Sequence, residues 1–230
     1  MTDIETHSIP VGFVIVAWAA LSLMLNVFGV FAPHPDKPPL ALLISVIGVP
    51  LVFLIAYAFS TKVRRLALGL DLRLLTAMQA WRIIGVMFLV LMSFGFLPGT
   101  FAWPAGLGDL LVGAYAPFVV LAISRRTPGW HRHVVLLNVL GLLDFVGAIG
   151  SGVLSGRSPL GLLRGDVTTD IMQELPLSMI PTFAVPFWIV LHILSLIKVR
   201  NPQAVAEASA VEHGALPDRF GVQRKSGREA

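Results

Sequence analysis

LALLISVIGVPLVFLIAYAFS, residues 40–60, is a run of 21 residues in which Tyr57 is the one ionisable group. An α-helix rises 1.5 Å per residue, so about 20 apolar residues cross the ~30 Å of hydrocarbon in a bilayer. The run has that length and carries no full charge. A helix that is apolar on every face needs a solvent other than water.

Outward from this stretch the pattern repeats. The whole chain of 230 residues is 56% hydrophobic and 13% charged, too little charge to cover the outside of a soluble domain of this size. Five more windows qualify, at 10–31, 78–97, 107–123, 134–154 and 177–197. The fold expected is therefore all-α: a polytopic membrane protein whose bundle of six transmembrane helices occupies residues 10–200. A short N-terminal segment, 1–9, precedes it. A polar tail, 201–230, follows with too little apolar surface to form a core and is expected to be disordered.

Helix breakers separate the windows. Pro33, Pro35, Pro38 and Pro39 follow the first, and Pro98, Gly99, Pro104 and Gly106 follow the third. Orientation comes from Lys and Arg near the ends of the spans, because short basic loops resist translocation. One side holds nine: Lys62, Arg64, Arg65, Arg73, Arg125, Arg126, Arg132, Lys198 and Arg200. The other holds Lys37, Arg157 and Arg164. Both termini are expected in the cytoplasm, and a bacterial inner membrane fits the pattern. Met1 to His7 has Asp3 and Glu5 but no Lys or Arg, so the first helix is expected to be retained rather than cleaved as a signal. Trp103 and Trp130 fall near opposite interfaces, where aromatic rings are favoured. In the exterior segment 155–176, Asp170 is expected to cap a short helix with Gln173 in its first turn, lying along the membrane. No internal repeat relates the two halves, which counts against an inverted-repeat transporter.

The chain has no cysteine, which removes disulfides, thiolate metal sites and cysteine nucleophiles. Its net charge of +4 sits at membrane edges and in the tail, a distribution suited to lipid headgroups; nucleic acid is not an expected partner. No phosphate-binding glycine loop, zinc-protease helix or serine elbow is present, no metal site is expected and no catalytic residue is assigned.

Function would show in polar groups inside the spans, where an ionised side chain costs roughly 2.5–3.5 kcal/mol on insertion scales. Asp144 is about ten residues from either end of the fifth window and cannot reach water, so it needs a partner or a proton. Arg82, near the cytoplasmic end of the third, either extends to the headgroups or bends inward to Asp144. Asn138 and His192 fall in the same third of the membrane as Arg82 and Gln79. Asn138 reads as interhelical glue. A lone buried His is more often a packing residue than a ligand, and His192 is read so; a haem there would need a second buried His, and His133 is at the edge. Asp109 either caps a helix starting near Leu110 or points into the bundle from one starting at Pro104. In the latter case Asn26 would share a shallow exterior vestibule with it. Gly147, Ala148, Ser151 and Gly152 read as a close-packing stripe, and Pro50, Pro181 and Pro186 free backbone carbonyls inside spans.

These residues leave three readings. The first is a protein that binds or moves a small solute or proton at a buried polar site. The second is an embedded enzyme or haem protein using His192, and the third a scaffold subunit with a protein partner; no cofactor is assigned. The topology is checked by reporter fusions: one after Arg126 should report cytoplasm and one after Lys37 the exterior. The same side for both would contradict it.

Overall fold

The computed structural model describes residues 3–202. The described residues are helical with no strand, and five helices are long and apolar enough to cross a membrane. We label the helices α1 (Asp3–Val27), α2 (Leu40–Phe59), α3 (Thr61–Gly69), α4 (Leu72–Ser93), α5 (Gly99–Arg125), α6 (Trp130–Leu154) and α7 (Ile180–Arg200). The five spans are α2, α4, α5, α6 and α7, and α1 adds a shorter apolar stretch, Val11–Val27. Phe28, Phe59, Phe94, Phe118 and Val146 are each at least 70% exposed. So many large apolar side chains facing outward on all sides belong against lipid. The chain is a helical polytopic membrane bundle.

Local chemistry sets the boundaries. Ser60 ends α2 and caps α3, its Oγ accepting from Val63 N at 3.4 Å. Helix α3 turns Lys62, Arg64 and Arg65 outward and buries Ala67 and Leu68. Asp71 caps α4 by accepting from Arg73 N at 2.7 Å, and the Arg73 guanidinium pairs back onto the same carboxylate at 2.7 Å. Those hydrogen bonds hold the Asp71 carboxyl below its ordinary range. Beyond α5, Arg126 (φ 48°) and Gly129 (φ 79°) both take the left-handed conformation, which turns the chain sharply into α6.

Three spans begin earlier than their hydropathy windows, α6 by four residues and α4 and α5 by more. Helix α4 starts at Leu72 because Asp71 and Arg73 neutralise each other at its first turn, which admits a charged residue to the membrane edge. Helix α5 starts at Gly99 and runs through Pro104 and Pro117, so the span expected to be the shortest is the longest, at 27 residues. Its glycines do not break the helix; they let it approach α4, where a Cβ on Gly106 would come within 2.8 Å of Leu89. The tail expected to be disordered lies, beyond residue 202, outside the described residues.

Two of the apolar clusters among the described residues flank α5. Phe88, Phe101, Ala102, Ala105 and Met172 form one, at the end carrying segment 155–176. Val112, Ala116, Val119, Val134 and Leu137 form the other, at the basic end. Between them lies a polar layer.

Some glycines of the bundle hold its helices close and others do not. A Cβ on Gly113 of α5 would sit 2.5 Å from the backbone nitrogen of Ile83, whereas one on Gly147 meets nothing within 4 Å. Gly113→Ala is therefore expected to lower the melting temperature in detergent, at an overpacking cost of about 1–3 kcal/mol. Gly147→Ala should leave it unchanged or raise it, since Ala is the better helix former. Equal effects would contradict the close approach.

Candidate functional site

In the middle of α4 the helix tightens into a 3₁₀ stretch, Met78–Gly85. With 3.0 residues per turn, side chains three apart stack in a straight row, and runs this long are uncommon outside strained or functional sites. The row here is Gln79, Arg82 and Gly85, all buried. Gly85 abuts α5, where its Cβ would overlap the Asp109 carboxylate. Close backbone contact at Gly85 and Gly113 is thus what brings Asp109 within reach of Arg82.

Arg82 is 1% exposed and every arm of its guanidinium is engaged. Nε donates to Asp109 Oδ1 at 2.7 Å, and Nη2 donates to Asp144 Oδ2. Nη1 faces the Gly141 carbonyl at 3.4 Å and His192 Nε2 at 3.0 Å. The guanidinium carbon lies 3.9 Å from the centre of the Phe145 ring, a cation–π contact. Two further glycines make room: a Cβ on Gly108 would overlap the Asp144 carboxylate, and one on Gly141 would overlap His192 and crowd Arg82.

The hydrogen bonds assign the His192 tautomer. Asn138 Nδ2 donates to Val134 O at 2.7 Å, which turns Oδ1 toward His192 Nδ1, 2.8 Å away. An amide oxygen only accepts, so Nδ1 carries the proton and Nε2 accepts from Arg82. The ring is neutral, and both nitrogens are used. An iron at His192 would have to displace either Arg82 or Asn138.

The charge balance of the layer follows. Arg82 supplies one positive charge between two carboxylates whose side chains are 13% and 9% exposed, and His192 supplies none. With both carboxylates ionised the cluster would hold a net negative charge inside hydrocarbon. Burial and a like-charged neighbour both disfavour that state, so the second carboxyl calls for a proton or another cation.

Asp109 and Asp144 also line a cavity of about 90 Å³, several times the ~10–15 Å³ that one water requires. Its walls are largely apolar, with Phe88, Phe101, Phe145, Ile149 and Trp188. Segment 155–176 closes it with Ser158, Thr169, Met172 and Gln173. That segment folds back onto the bundle, burying Ser155, Ser158, Thr169 and Met172. Asp170 does not cap its own short helix, Asp170–Gln173, but clamps Arg157, accepting from its backbone N at 3.0 Å and pairing with Nε at 3.1 Å. Thr169 Oγ1 donates to Gly152 O at 2.6 Å, tying the segment to α6.

Arg82, Asp144, Asp109, His192 and Asn138 thus come together from four helices, with Asp109 facing the bundle from the third turn of α5 rather than capping it. Asn26 does not join them. Its Nδ2 donates to Thr182 Oγ1 at 3.0 Å and to Ser22 O at 2.9 Å, fixing α1 to α7. Pro186 cannot donate to the Thr182 carbonyl, and Ser45 Oγ donates to it instead at 2.9 Å. The stripe at Gly147 to Gly152 contributes little close packing. The glycines that matter, Gly85, Gly108, Gly113 and Gly141, are missing from the sequence reading. Their signal was proximity: each lies within four residues of Arg82, Asp109 or Asp144 in the chain.

Residues 39–200 match the family model described as a Domain of unknown function (DUF8737). No curated protein and no solved structure matches the chain.

The charge balance yields an asymmetric prediction. Arg82→Gln strands the carboxylate that balances it and should cost about 3–5 kcal/mol. Asp109→Asn or Asp144→Asn alone leaves a balanced pair and should shift detergent melting little. Asp109→Asn with Asp144→Asn strands Arg82, so the double loss should exceed the sum by about 0.5–3 kcal/mol. Additive effects would contradict the shared guanidinium.

Proposed function

The chain belongs to the DUF8737 family, and we propose that the part shared with that family binds and carries a small cation, the proton included, at the Asp109–Asp144 pair. One observation carries this reading: a single guanidinium stands between two carboxylates that line a cavity in the membrane interior. A site built only for packing has no use for the second carboxylate. Intramembrane ionisable groups that face a cavity are the usual markers of ion and proton pathways.

Two further features support it. Every lining residue of the cavity and every member of the polar layer falls within 39–200. The start of α7 is irregular, with a π-helical stretch at Ile180–Ala184 and Pro186 in the following turn. Irregular backbone at membrane depth is tolerated where it is buried or lines a cavity, and Ile180, Pro181 and Val185 do line this one. In this reading the basic end, with nine Lys and Arg against three, faces the cytoplasm of a bacterial inner membrane, and the cavity faces outward. Arg82, His192 and Asn138 close the inner side.

An apolar carbodiimide tests the site, because it reacts with a protonated carboxyl that it can reach from an apolar surrounding. Mass spectrometry of labelled, purified protein should find the adduct on Asp109 or Asp144. Labelling should fall as pH rises, since only the acid form reacts, and it should vanish when both residues are Asn. Absence of label on both at every pH would overturn the reading.

A further inference from the structure

The cavity's walls and its charge together narrow the ligand, given the carboxylate reading above. We propose that the site takes a lipophilic primary ammonium ion, one charged amine on an apolar body, in exchange for the proton held by the carboxylate pair.

Charge comes first. In the resting cluster Arg82 is balanced by one carboxylate and the other holds a proton. When an ammonium ion docks, the O–H bond of that carboxylic acid breaks and the proton leaves to water. The amine's N–H groups then donate to the freed carboxylate. No other bond changes, and the cluster is neutral before and after. A divalent cation would leave it positive, an anion would leave it negative, and a neutral alcohol could not replace the proton.

Shape and polarity come next. A bare inorganic cation would trade its hydration shell for two carboxylates and a mostly hydrocarbon wall, whereas an ammonium with an apolar tail matches both ends. Phe88, Phe101, Ile149 and Trp188 are available to the tail, and aromatic faces also attract the charge. Asp109 Oδ2 lies against Gly85 and Asp144 Oδ1 against Gly108, and neither receives a hydrogen bond among the described residues, so each carboxyl keeps an acceptor after Arg82 is satisfied. Titratable and charged groups facing the pair are Arg82 from α4 and His192 from α7; α5 and α6 supply the two carboxyls themselves. His192, locked between Asn138 and Arg82, has no free nitrogen with which to take up the proton.

Phenethylammonium chloride is the probe, titrated calorimetrically into purified full-length protein in weakly buffered detergent with a pH indicator. Binding should release about one proton per amine, and affinity should fall toward tenfold per unit as pH drops below the pair's titration. It should fall again at high pH as the amine itself, with an ordinary pKa of about 10, loses its charge. Gly152→Leu fills the cavity without touching the ion cluster; a Cβ there makes only ordinary contact with Phe101, at 3.6 Å. That variant should lose amine binding by tenfold or more while its carboxyls still react with carbodiimide. If 2-phenylethanol binds as well as the amine, or the amine binds without proton release, the exchange is overturned. If the amine fails to bind while carbodiimide labels the pair, the substrate class is overturned and the carboxylate reading stands. If the label fails too, both are overturned.

Discussion

A guanidinium buried among four helices is the constraint on which this bundle depends. An arginine side chain is a fixed cation with five donors, so the fold must supply acceptors for Arg82 in a medium that has none of its own. It does so from α5, α6 and α7: Asp109, Asp144, the Gly141 carbonyl and His192 Nε2. Each acceptor then becomes a requirement on its own helix. Asn138 orients His192, and apolar clusters lie on either side of the layer.

The helices come close enough for this because glycine replaces side chains wherever a polar group must pass. Gly85 admits Asp109, Gly108 admits Asp144, and Gly141 admits His192 and Arg82. In lipid there is no hydrophobic force to press helices together, and small residues that allow backbone contact take its place. The same three glycines therefore serve both packing and electrostatics. The 3₁₀ stretch of α4 adds a third element, since its three-residue period puts Gln79, Arg82 and Gly85 in one row. A regular α-helix would have rotated Gln79 and Gly85 about 60° to either side of Arg82.

The amino-acid sequence made the bundle legible because length and apolarity in a span are read directly against the thickness of a bilayer. Asp144 stood out for the same reason, being too deep to escape. Arg82 was placed too near the surface, because the Asp71–Arg73 pair that lets α4 begin at Leu72 disguises the start of the span as a loop. Asp109 stayed ambiguous because Pro104 and Gly106 read locally as breakers, and only the facing α4 reveals this stretch of α5 as a contact surface. The cavity was illegible: it depends on how segment 155–176 folds back through the Asp170–Arg157 clamp, a contact between residues with no periodic pattern.

The central claim is that one of the two carboxyls beside Arg82 is protonated at neutral pH. Infrared spectroscopy of the reconstituted protein, with ¹³C-labelled aspartate, reads this directly through the carbonyl stretch of a carboxylic acid. The expected result is an isotope-sensitive acid band at neutral pH that disappears when both Asp109 and Asp144 are Asn, and that weakens in wild type as pH rises. A spectrum with no aspartic acid band at neutral pH would mean that both carboxyls are ionised there, and would contradict the account.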